Sequence, residues 1–325
     1  MSTKHTIIVT DGYALCREDL SFQGFERFGN VTVYDFTAPN ELLNRVREAD
    51  ILIVNKTIIS AETIATMMNL QYIGVTATGY NNVDAKAAAA RYIPVCNVAG
   101  YGSQTVAQHV FALILELTNQ VAVHDAAVQA GEWGSQPHFC ITKTPLTELS
   151  GKTLGIYGFS GIGQEVAKIG RAFGMKIIVH RRNTEGVLLR GMRYVSLDEL
   201  FSQSDVLTLN ASLSRENQGL INLNNLKKMK STALLINTAR GGFIIEKDLK
   251  EALETGIIAG AGLDVLPTEP PTEGSVLFGV KNCLITPHNA WAATEARQRL
   301  MRLAEENVSA FLKGKPKNVV NMEHK

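Results

Sequence analysis

The sequence predicts an α/β protein built from two domains, each with a parallel sheet. Short apolar runs alternate with helical patterns, which is typical of parallel sheets covered by helices. The 325 residues are 45% hydrophobic, enough for two domains with cores of their own. The alternation stops once, at the glycine-rich segment Gly100–Ser103, and resumes at Lys152. That single break indicates where one domain gives way to the next.

The first domain is predicted from five strand-like runs within residues 1–99. Asp11 and Gly12 end the first of them, and helical patterns separate the others. Runs rich in valine and isoleucine with helices between them favour parallel pairing. The five predicted strands cover residues 6–10, 31–34, 51–54, 70–76 and 93–98.

A strongly apolar helix is predicted to follow the break, from Thr105 to about Asn119. Its apolar residues cover more than one face, which predicts burial between domains or in a subunit interface. His109 lies within it among apolar neighbours. We therefore interpret His109 as a packed or interfacial histidine rather than a ligand.

The second domain is predicted over residues 100–290, with six strands. Such a series fits a doubly wound dinucleotide-binding domain. The final helical pattern, Thr294 to about Leu312, has no strand of its own and is predicted to pack on the first domain. Residues 291–325 would then complete a discontinuous first domain. The six strands are predicted at 153–157, 176–180, 206–209, 233–237, 259–265 and 282–286.

Composition excludes several classes of function. The formal net charge is +1, from 32 basic and 31 acidic residues, so no global charge favours nucleic acid or a membrane surface. No apolar run reaches the roughly 18 residues that a membrane helix needs. Met1 to Tyr13 is too polar for a signal peptide, and the four cysteines form no CxxC pair. We expect a cytoplasmic protein with reduced thiols and, since no ligand spacing is present, no metal site.

A nucleotide-binding fingerprint follows the first strand of the second domain. Gly158 allows a tight turn, and Gly163 lets helix and strand pack closely. The amides of Gly161 and Ile162, at the start of the next helix, are predicted to hold a pyrophosphate. Ser160 stands where the pattern has its middle glycine. The alternative is a glycine-rich turn without a ligand, but the strand before and the helix after favour the binding site.

The second strand of this domain predicts which dinucleotide binds. Sites for NAD usually place Asp or Glu about 20 residues past the first glycine, on the ribose 2′-hydroxyl. Here Arg181, Arg182 and Asn183 follow the strand instead. Two guanidiniums would pair with a 2′-phosphate, so we favour NADP(H), with NAD(H) as the alternative. The competing interpretation is two solvated loop arginines.

Three polar residues come after late strands of the second domain: Arg240, Glu269 and His288. Ligands bind beyond the carboxyl ends of parallel strands, so these side chains are predicted to meet. His288 suits protonation of the alkoxide that hydride addition creates, and Glu269 would orient its ring. Arg240 has the fork geometry that matches a carboxylate. Asp264 is predicted to bind the nicotinamide amide or, alternatively, to cap a loop.

Taken together, the motifs are similar to those of the D-isomer-specific 2-hydroxyacid dehydrogenases, over nearly the full length. The amino-acid sequences of residues 77–84 and 288–291 most resemble those of the hydroxypyruvate reductase, or D-glycerate dehydrogenase, branch. The segments that carry the resemblance are 77–84, 106–110, 158–163, 236–241, 262–265, 269–271 and 286–291.

The resemblance implies a Rossmann cofactor domain inserted in a discontinuous, flavodoxin-like substrate domain. It implies that Arg240, Glu269 and His288 are catalytic, that Arg240 and His288 also contact substrate, and that Asp264 lies at the nicotinamide. It also implies a homodimer built partly on the helix that begins near Thr105. Further substrate contacts are expected at Lys56, Thr78 and Gly79, and further cofactor contacts at Thr105, Asn210 and Thr238.

One departure from the family's sequence pattern lies beside the predicted cofactor site. Asn210-Ala211-Ser212 stands where members often have His-Cys-Pro.

The predicted function is reduction of a small 2-keto acid to the D-2-hydroxy acid by hydride transfer from NAD(P)H, with hydroxypyruvate or glyoxylate favoured. A D-lactate-type or branched 2-keto acid reductase is the nearest alternative. A cofactor-sensing binding protein of the corepressor type is a second alternative, and the complete set of Arg240, Glu269 and His288 favours the enzyme.

Overall fold

The computed structural model describes residues 4–182 and 191–322. The chain forms two compact units. The first, here called the split unit, consists of the residues up to Gly102 and those from Ala292 onward. The second, here called the inserted unit, runs from Ser103 to Trp291. The chain thus leaves the split unit after Gly102 and returns to it at Ala292.

The split unit contains one sheet whose five strands are all parallel. The strands are β1 (His5–Val9), β2 (Gly29–Val33), β3 (Ile51–Val54), β4 (Tyr72–Val75) and β5 (Val95–Cys96). Their order in the sheet, β2-β1-β3-β4-β5, is the flavodoxin-like order. The central strands β3 and β4 are buried at every residue, as their continuous apolar sequences predict.

Short helices connect these strands, and a long one returns to the unit from the far end of the chain. Ser60 and Asp84 cap two of the short helices, each accepting a hydrogen bond from the backbone three residues on. The last helix packs on this sheet: the ring centroids of Tyr72, in the sheet, and Phe311, in the helix, lie 4.9 Å apart. The helices are α1 (Leu42–Val46), α2 (Ala61–Thr66), α3 (Ala85–Ala90) and α10 (Thr294–Leu312).

Arg297 anchors the start of α10 within the split unit. This side chain is 5% exposed and donates to the carbonyls of Leu15 and Ala292. It also forms two hydrogen bonds with the carboxylate of Asp19. The hydrogen bond from Arg297 lowers the pKa of Asp19 from 3.8 to about 2. A buried arginine thus joins the helix to a loop near the opposite end of the chain.

The inserted unit contains a seven-stranded parallel sheet. The strands are β6 (Thr153–Tyr157), β7 (Lys176–His180), β8 (Met192–Tyr194), β9 (Val206–Leu209), β10 (Leu234–Asn237), β11 (Gly260–Leu263) and β12 (Cys283–Ile285). Their order, β12-β11-β10-β9-β6-β7-β8, is the Rossmann order with one more strand, β12, at an edge. The strand at the other edge, β8, was not predicted, because its three residues include an exposed arginine and none is buried.

Helices cover both faces of this sheet, and each face has its own apolar core. The predicted apolar helix, α4, is buried on several sides within the unit. Among the described residues, no single helix is long and apolar enough to cross a membrane; α4 and α5 meet that requirement only jointly, across a bend of 53°. The helices are α4 (Ser103–Asn119), α5 (Val121–Gln129), α6 (Gly161–Ala172), α7 (Leu197–Gln203), α8 (Leu223–Leu226) and α9 (Glu246–Glu254).

We predict that Asp19→Asn lowers the melting temperature at neutral pH. The pKa of Asp19 is lower in the folded protein than its ordinary value, so its ion pair stabilises the fold above about pH 4. That contribution is lost as the pH falls through the folded pKa of about 2. Thermal unfolding between pH 7 and pH 2 should show the difference between variant and wild type closing over this window. The exposed neighbour Glu18, changed to Gln, is the control, and a difference independent of pH would contradict the assignment.

Candidate active site

The turn after β10, which carries Arg240, is fixed by a buried asparagine. Asn237 ends the strand and is completely buried. Its Oδ1 accepts from the amide of Ala239 at 3.0 Å, and its Nδ2 donates to the carbonyl of Arg240 at 2.8 Å. The Arg240 side chain is itself exposed and donates to the carbonyl of Ala239. Thr238, predicted to contact the cofactor, lies in the same turn and is half-buried.

The loop after β11, which carries Glu269, lies directly against that turn. A Cβ atom on Gly241 would lie 1.9 Å from the carbonyl carbon of Leu266, so only glycine permits this approach of two backbones. Oε1 of Glu269 accepts from the amide of Leu266 at 2.9 Å. The glycine after Arg240 therefore sets the distance between the two loops, a role that the sequence pattern alone did not reveal.

The segment after β12 holds His288 in an uncommon backbone conformation. Its φ is +50°, in the left-handed region, which costs a non-glycine residue about 1–3 kcal/mol and persists only where surrounding interactions offset that cost. Its N–H donates to the carbonyls of Asp264 at 2.9 Å and Thr286 at 3.0 Å. Its carbonyl accepts from the indole Nε1 of Trp291 at 2.8 Å. Such enforced strain is typical of functional sites.

His288 and Glu269 are joined as the sequence predicts. Nδ1 of the imidazole lies 2.6 Å from Oε2 of the carboxylate, a short charge-assisted hydrogen bond. The side chains are 25% and 34% exposed, respectively. Because Nδ1 is directed at the carboxylate, Nε2 is the ring nitrogen that faces away from Glu269. When Nε2 also carries a proton, the ring is positively charged, and the Glu269 carboxylate stabilises that charge. The arrangement can therefore present a proton at Nε2.

Asp264 holds the segment that carries His288. Its carboxylate is 1% exposed. Oδ1 accepts from the amide of Asn289 at 2.9 Å and from the hydroxyl of Thr286 at 2.6 Å, and Oδ2 accepts from the amide of Ala290 at 2.9 Å. This is the loop-capping alternative weighed for Asp264, and contact with a nicotinamide amide stays a prediction.

The glycine-rich loop has the backbone shape that a pyrophosphate needs. Gly158 has φ +88°, and a Cβ there would lie 2.7 Å from Ala211. A Cβ on Gly163 would lie 2.4 Å from the carbonyl oxygen of Gly158. Helix α6 begins at Gly161 with Ser160 at the N-cap, whose side chain makes no capping hydrogen bond. The amides of Gly161 and Ile162 therefore belong to a first turn whose N–H groups have no partner within the helix.

Two further features beside the loop suit a dinucleotide. A Cβ on Gly161 would lie 2.9 Å from Oγ of Ser103, so α4, whose first turn contains Thr105, begins next to the loop. Asn210 is 6% exposed and donates through Nδ2 to Thr208, while its Oδ1 has no hydrogen-bond partner among the described residues. A buried acceptor without a donor is costly, so a bound ligand's hydroxyl fits there.

The arginines after β7 have partners within the protein. The guanidinium of Arg181 lies 5.2 Å from the ring centroid of Tyr194. Arg182 pairs with the carboxylate of Glu216, and both side chains are more than 70% exposed. Asn183, the third residue of the predicted motif, lies outside the described residues. Glu216 was missed because it lies 34 positions further along the chain.

The predicted substrate residues Lys56, Thr78 and Gly79 belong to the split unit. The predicted catalytic residues Arg240, Glu269 and His288 belong to the inserted unit. Asp11, at the end of β1, accepts from the backbone amides of Asn55, Lys56 and Thr57 and so fixes the turn after β3. Asn97 donates to the carbonyl of Thr78 at 2.7 Å. These segments are therefore held by hydrogen bonds within their own unit. Within residues 4–182 and 191–322, no cluster of His, Cys, Asp and Glu could hold a metal ion.

Comparison with known proteins agrees with the fold and the motifs. A family model described as "D-isomer specific 2-hydroxyacid dehydrogenase, NAD binding domain" matches residues 111–290. The chain is 44% identical to a hydroxypyruvate reductase of Blautia hydrogenotrophica, over 97% of this chain and 99% of that protein. It is 39% identical to a glycerate dehydrogenase of Methylorubrum extorquens, over 87% of this chain and 88% of that protein.

A solved structure with the same fold carries a nicotinamide cofactor. An acyclic imino acid reductase (Bsp5) in complex with NADPH and D-Arg superposes with a TM-score of 0.86. It is 31% identical and covers 97% of this chain and 99% of its own. Fold, motifs and relatives define a nicotinamide-dinucleotide oxidoreductase of the Rossmann type. The chain belongs to the D-isomer-specific 2-hydroxyacid dehydrogenase family.

Proposed function

We propose that this protein reduces a small 2-keto acid to the D-2-hydroxy acid with NAD(P)H. The observation that carries the proposal is the 2.6 Å hydrogen bond between His288 and Glu269, placed beside the Arg240 turn at the carboxyl ends of neighbouring strands. Hydroxypyruvate is the favoured substrate, since the similar proteins include a hydroxypyruvate reductase and a glycerate dehydrogenase. Glyoxylate is the next choice.

The residues of the inserted unit supply what the reaction needs besides a hydride. The glycine-rich loop and the start of α6 would hold a nicotinamide dinucleotide, which would supply the hydride for the keto carbon. His288 holds a proton at Nε2 and delivers it to the oxygen, so that the carbonyl becomes an alcohol. Glu269 accepts the Nδ1–H, keeps the ring oriented and stabilises its charged form. Arg240 pairs with the substrate carboxylate through its guanidinium fork.

We propose NADP(H) as the preferred cofactor, with NAD(H) as the alternative. The amides of Gly161 and Ile162 would hold the pyrophosphate, with Gly158, Ser160 and Gly163 shaping the loop. Asn210 would accept a hydroxyl through its unpartnered Oδ1. Arg181 and Arg182 would pair with the 2′-phosphate, with Arg182 exchanging Glu216 for the phosphate. The NADPH-bound relative supports this choice.

Lys56, Thr78 and Gly79 are proposed substrate-binding residues. Each lies on a segment at the end of a strand whose backbone is held by buried polar side chains of the split unit. Thr105 is a proposed cofactor contact because it lies in the first turn of α4, which begins next to the glycine-rich loop. Thr238 is a proposed cofactor contact because it lies in the turn after β10. A D-lactate-type or branched 2-keto acid reductase is the alternative function. The size of the pocket for the substrate side chain would decide between these substrates and hydroxypyruvate or glyoxylate.

The proposed assembly is a homodimer. The helix that begins near Thr105, which the resemblance places partly at the interface, buries much of its apolar surface within the inserted unit. We therefore propose that the interface also uses α5 and the segment after it. Large apolar side chains are exposed there, and a monomer rarely leaves such a group uncovered. A second copy of the same surface would cover them. These residues are Val121, Val123, Val128, Trp133, Phe139 and Leu146.

The proposed location is the cytoplasm. All four cysteines are free thiols: Cys16, Cys96, Cys140 and Cys283. Free thiols are expected in a reducing compartment.

We predict that His288→Gln lowers kcat by about 10²–10⁴-fold, the usual contribution of a general acid, because glutamine has no proton to give. The affinity for NADPH, measured by fluorescence titration, should stay within a few-fold of the wild-type value. His138→Gln, at an exposed position of the same unit, is the matched control and should keep full activity. Retained turnover in His288→Gln would remove His288 from the proposed mechanism.

We predict a higher kcat/KM with NADPH than with NADH in the reduction of hydroxypyruvate. Arg182→Ala should reduce that preference by about tenfold or more, since a hydrogen bond to a charged group contributes roughly 1.5–3 kcal/mol. Glu216→Gln should increase it, because the substitution releases Arg182 from its ion pair. The exposed Arg171, changed to Ala, serves as the control. An equal or higher kcat/KM with NADH in the wild type would refute the arginine argument.

We predict that the wild-type protein sediments as a dimer and that Phe139→Asp shifts it toward the monomer. Phe139 is 93% exposed, and a charge there would oppose apolar burial against a second copy. Phe36→Asp introduces the same change at an exposed phenylalanine of the split unit and should leave the dimer intact. A monomeric wild type in sedimentation equilibrium would contradict the proposed assembly.

A further inference from the structure

We propose that His109 and Thr286 are positioning residues that align the His288 segment through Asp264. The proposal rests on the proposed function, since it concerns how the same site is held. It gives His109 a role that its apolar sequence neighbours concealed. His109 lies on α4 and touches none of the residues placed in the reaction, so its effect must pass through its hydrogen-bonded neighbours.

The packing of α4 on β11 brings His109 to this place. Leu113 and Leu117 follow His109 at steps of four along the helix, on the same face. Gly262 and Gly260 precede Asp264 at steps of two along the strand, also on one face. A Cβ on Gly262 would lie 3.0 Å from Leu113, and one on Gly260 would lie 3.2 Å from Leu117. The third pair in this register is His109 and Asp264, whose Nε2 and Oδ1 lie 3.6 Å apart.

The hydrogen bonds of Thr286 show which group donates and which accepts at each step from His109 to Asp264. Its hydroxyl lies 2.6 Å from Oδ1 of Asp264 and 2.9 Å from Nε2 of His109. The Asp264 carboxylate also accepts from two backbone amides, so both of its oxygens act as acceptors. A hydroxyl has one hydrogen, which Thr286 therefore gives to Asp264. His109 must then donate its Nε2–H to the hydroxyl, which fixes the imidazole as the Nε2–H form or the doubly protonated form.

The series of hydrogen bonds from His109 continues through Asp264 to the backbone on both sides of His288. Asp264 accepts the amides of Asn289 and Ala290, and its own carbonyl accepts the N–H of His288. His288 has φ +50°, so its conformation depends on those bonds. If His109 no longer donates, Thr286 is free to turn its hydrogen away from Asp264. The carboxylate then shifts, and the segment that sets the direction of the His288 ring shifts with it.

The test compares two substitutions that differ in hydrogen bonding. His109→Gln keeps an N–H donor near the position of Nε2, and His109→Leu removes it. We expect His109→Leu to lose about tenfold or more in kcat, because small misplacements of reacting groups reach about 10²-fold. His109→Gln should recover most of the loss. Gln108→Leu, on the exposed side of the same turn, is the matched control.

A double substitution tests whether the two residues act in series. Thr286→Val removes the hydroxyl and keeps the shape, and it should cost at least as much as His109→Leu, because it removes the direct donor to Asp264. The variant with both changes should cost no more than Thr286→Val alone, since the link from His109 to Asp264 is already broken. Additive losses, or a kcat for His109→Leu within threefold of the wild type, would overturn the proposal. So would equal losses in His109→Leu and His109→Gln.

A readout without substrate separates this proposal from the proposed function. Nitrogen-15 NMR of the ring of His288 should change in His109→Leu and return to the wild-type spectrum in His109→Gln, and the wild-type spectrum should show a proton on Nε2 of His109. If the wild type reduces no 2-keto acid but the spectra behave in this way, the proposed function fails and the positioning role stands. If the wild type is active and the His288 spectrum is the same in all variants, only the positioning role fails.

Discussion

A buried carboxylate that must be satisfied, Asp264, determines the geometry of the site. A charge taken out of water is costly unless hydrogen bonds replace the water. Asp264 is buried, so the donors around its carboxylate are held at hydrogen-bonding distance from it. Those donors are the hydroxyl of Thr286 and the amides that follow His288. The histidine is thus held through its backbone, and its ring has only to meet Glu269. The neighbouring turn is held in the same manner, by Asn237 and the approach of Gly241 to Leu266.

The split unit uses the same device at a different sheet. Asp11 follows β1, and its carboxylate accepts the amides of the turn after the neighbouring strand β3. Asp264 follows β11, and its carboxylate accepts the amides of the segment after the neighbouring strand β12. In both sheets one strand end carries an acid that organises the loop beside it. Loops at the carboxyl ends of parallel strands need such anchors, because the sheet's own hydrogen bonds end there.

The sequence predicted the features that depend on local patterns. Apolar runs located most strands, and the polar residues that follow β10, β11 and β12 located the three residues of the candidate site. The strand β8 was missed because an edge strand needs no continuous apolar run. The partnership of Arg182 with Glu216, and that of His109 with Thr286, join residues distant along the chain. Only the packing of one element on another brings such pairs together, and a single sequence does not encode that packing in any local pattern.

The interrupted path of the chain has a consequence for its synthesis. The sheet of the split unit is begun first, but its covering helix α10 and the Arg297 anchor come from residues after Ala292. Every strand of the inserted unit, by contrast, lies on one continuous stretch. On a ribosome, where domains generally fold as units as they emerge, the inserted unit is therefore complete before its predecessor in the sequence. Until α10 emerges, the face of β4 around Tyr72 lacks its covering helix, and transiently exposed apolar surface of this kind favours aggregation.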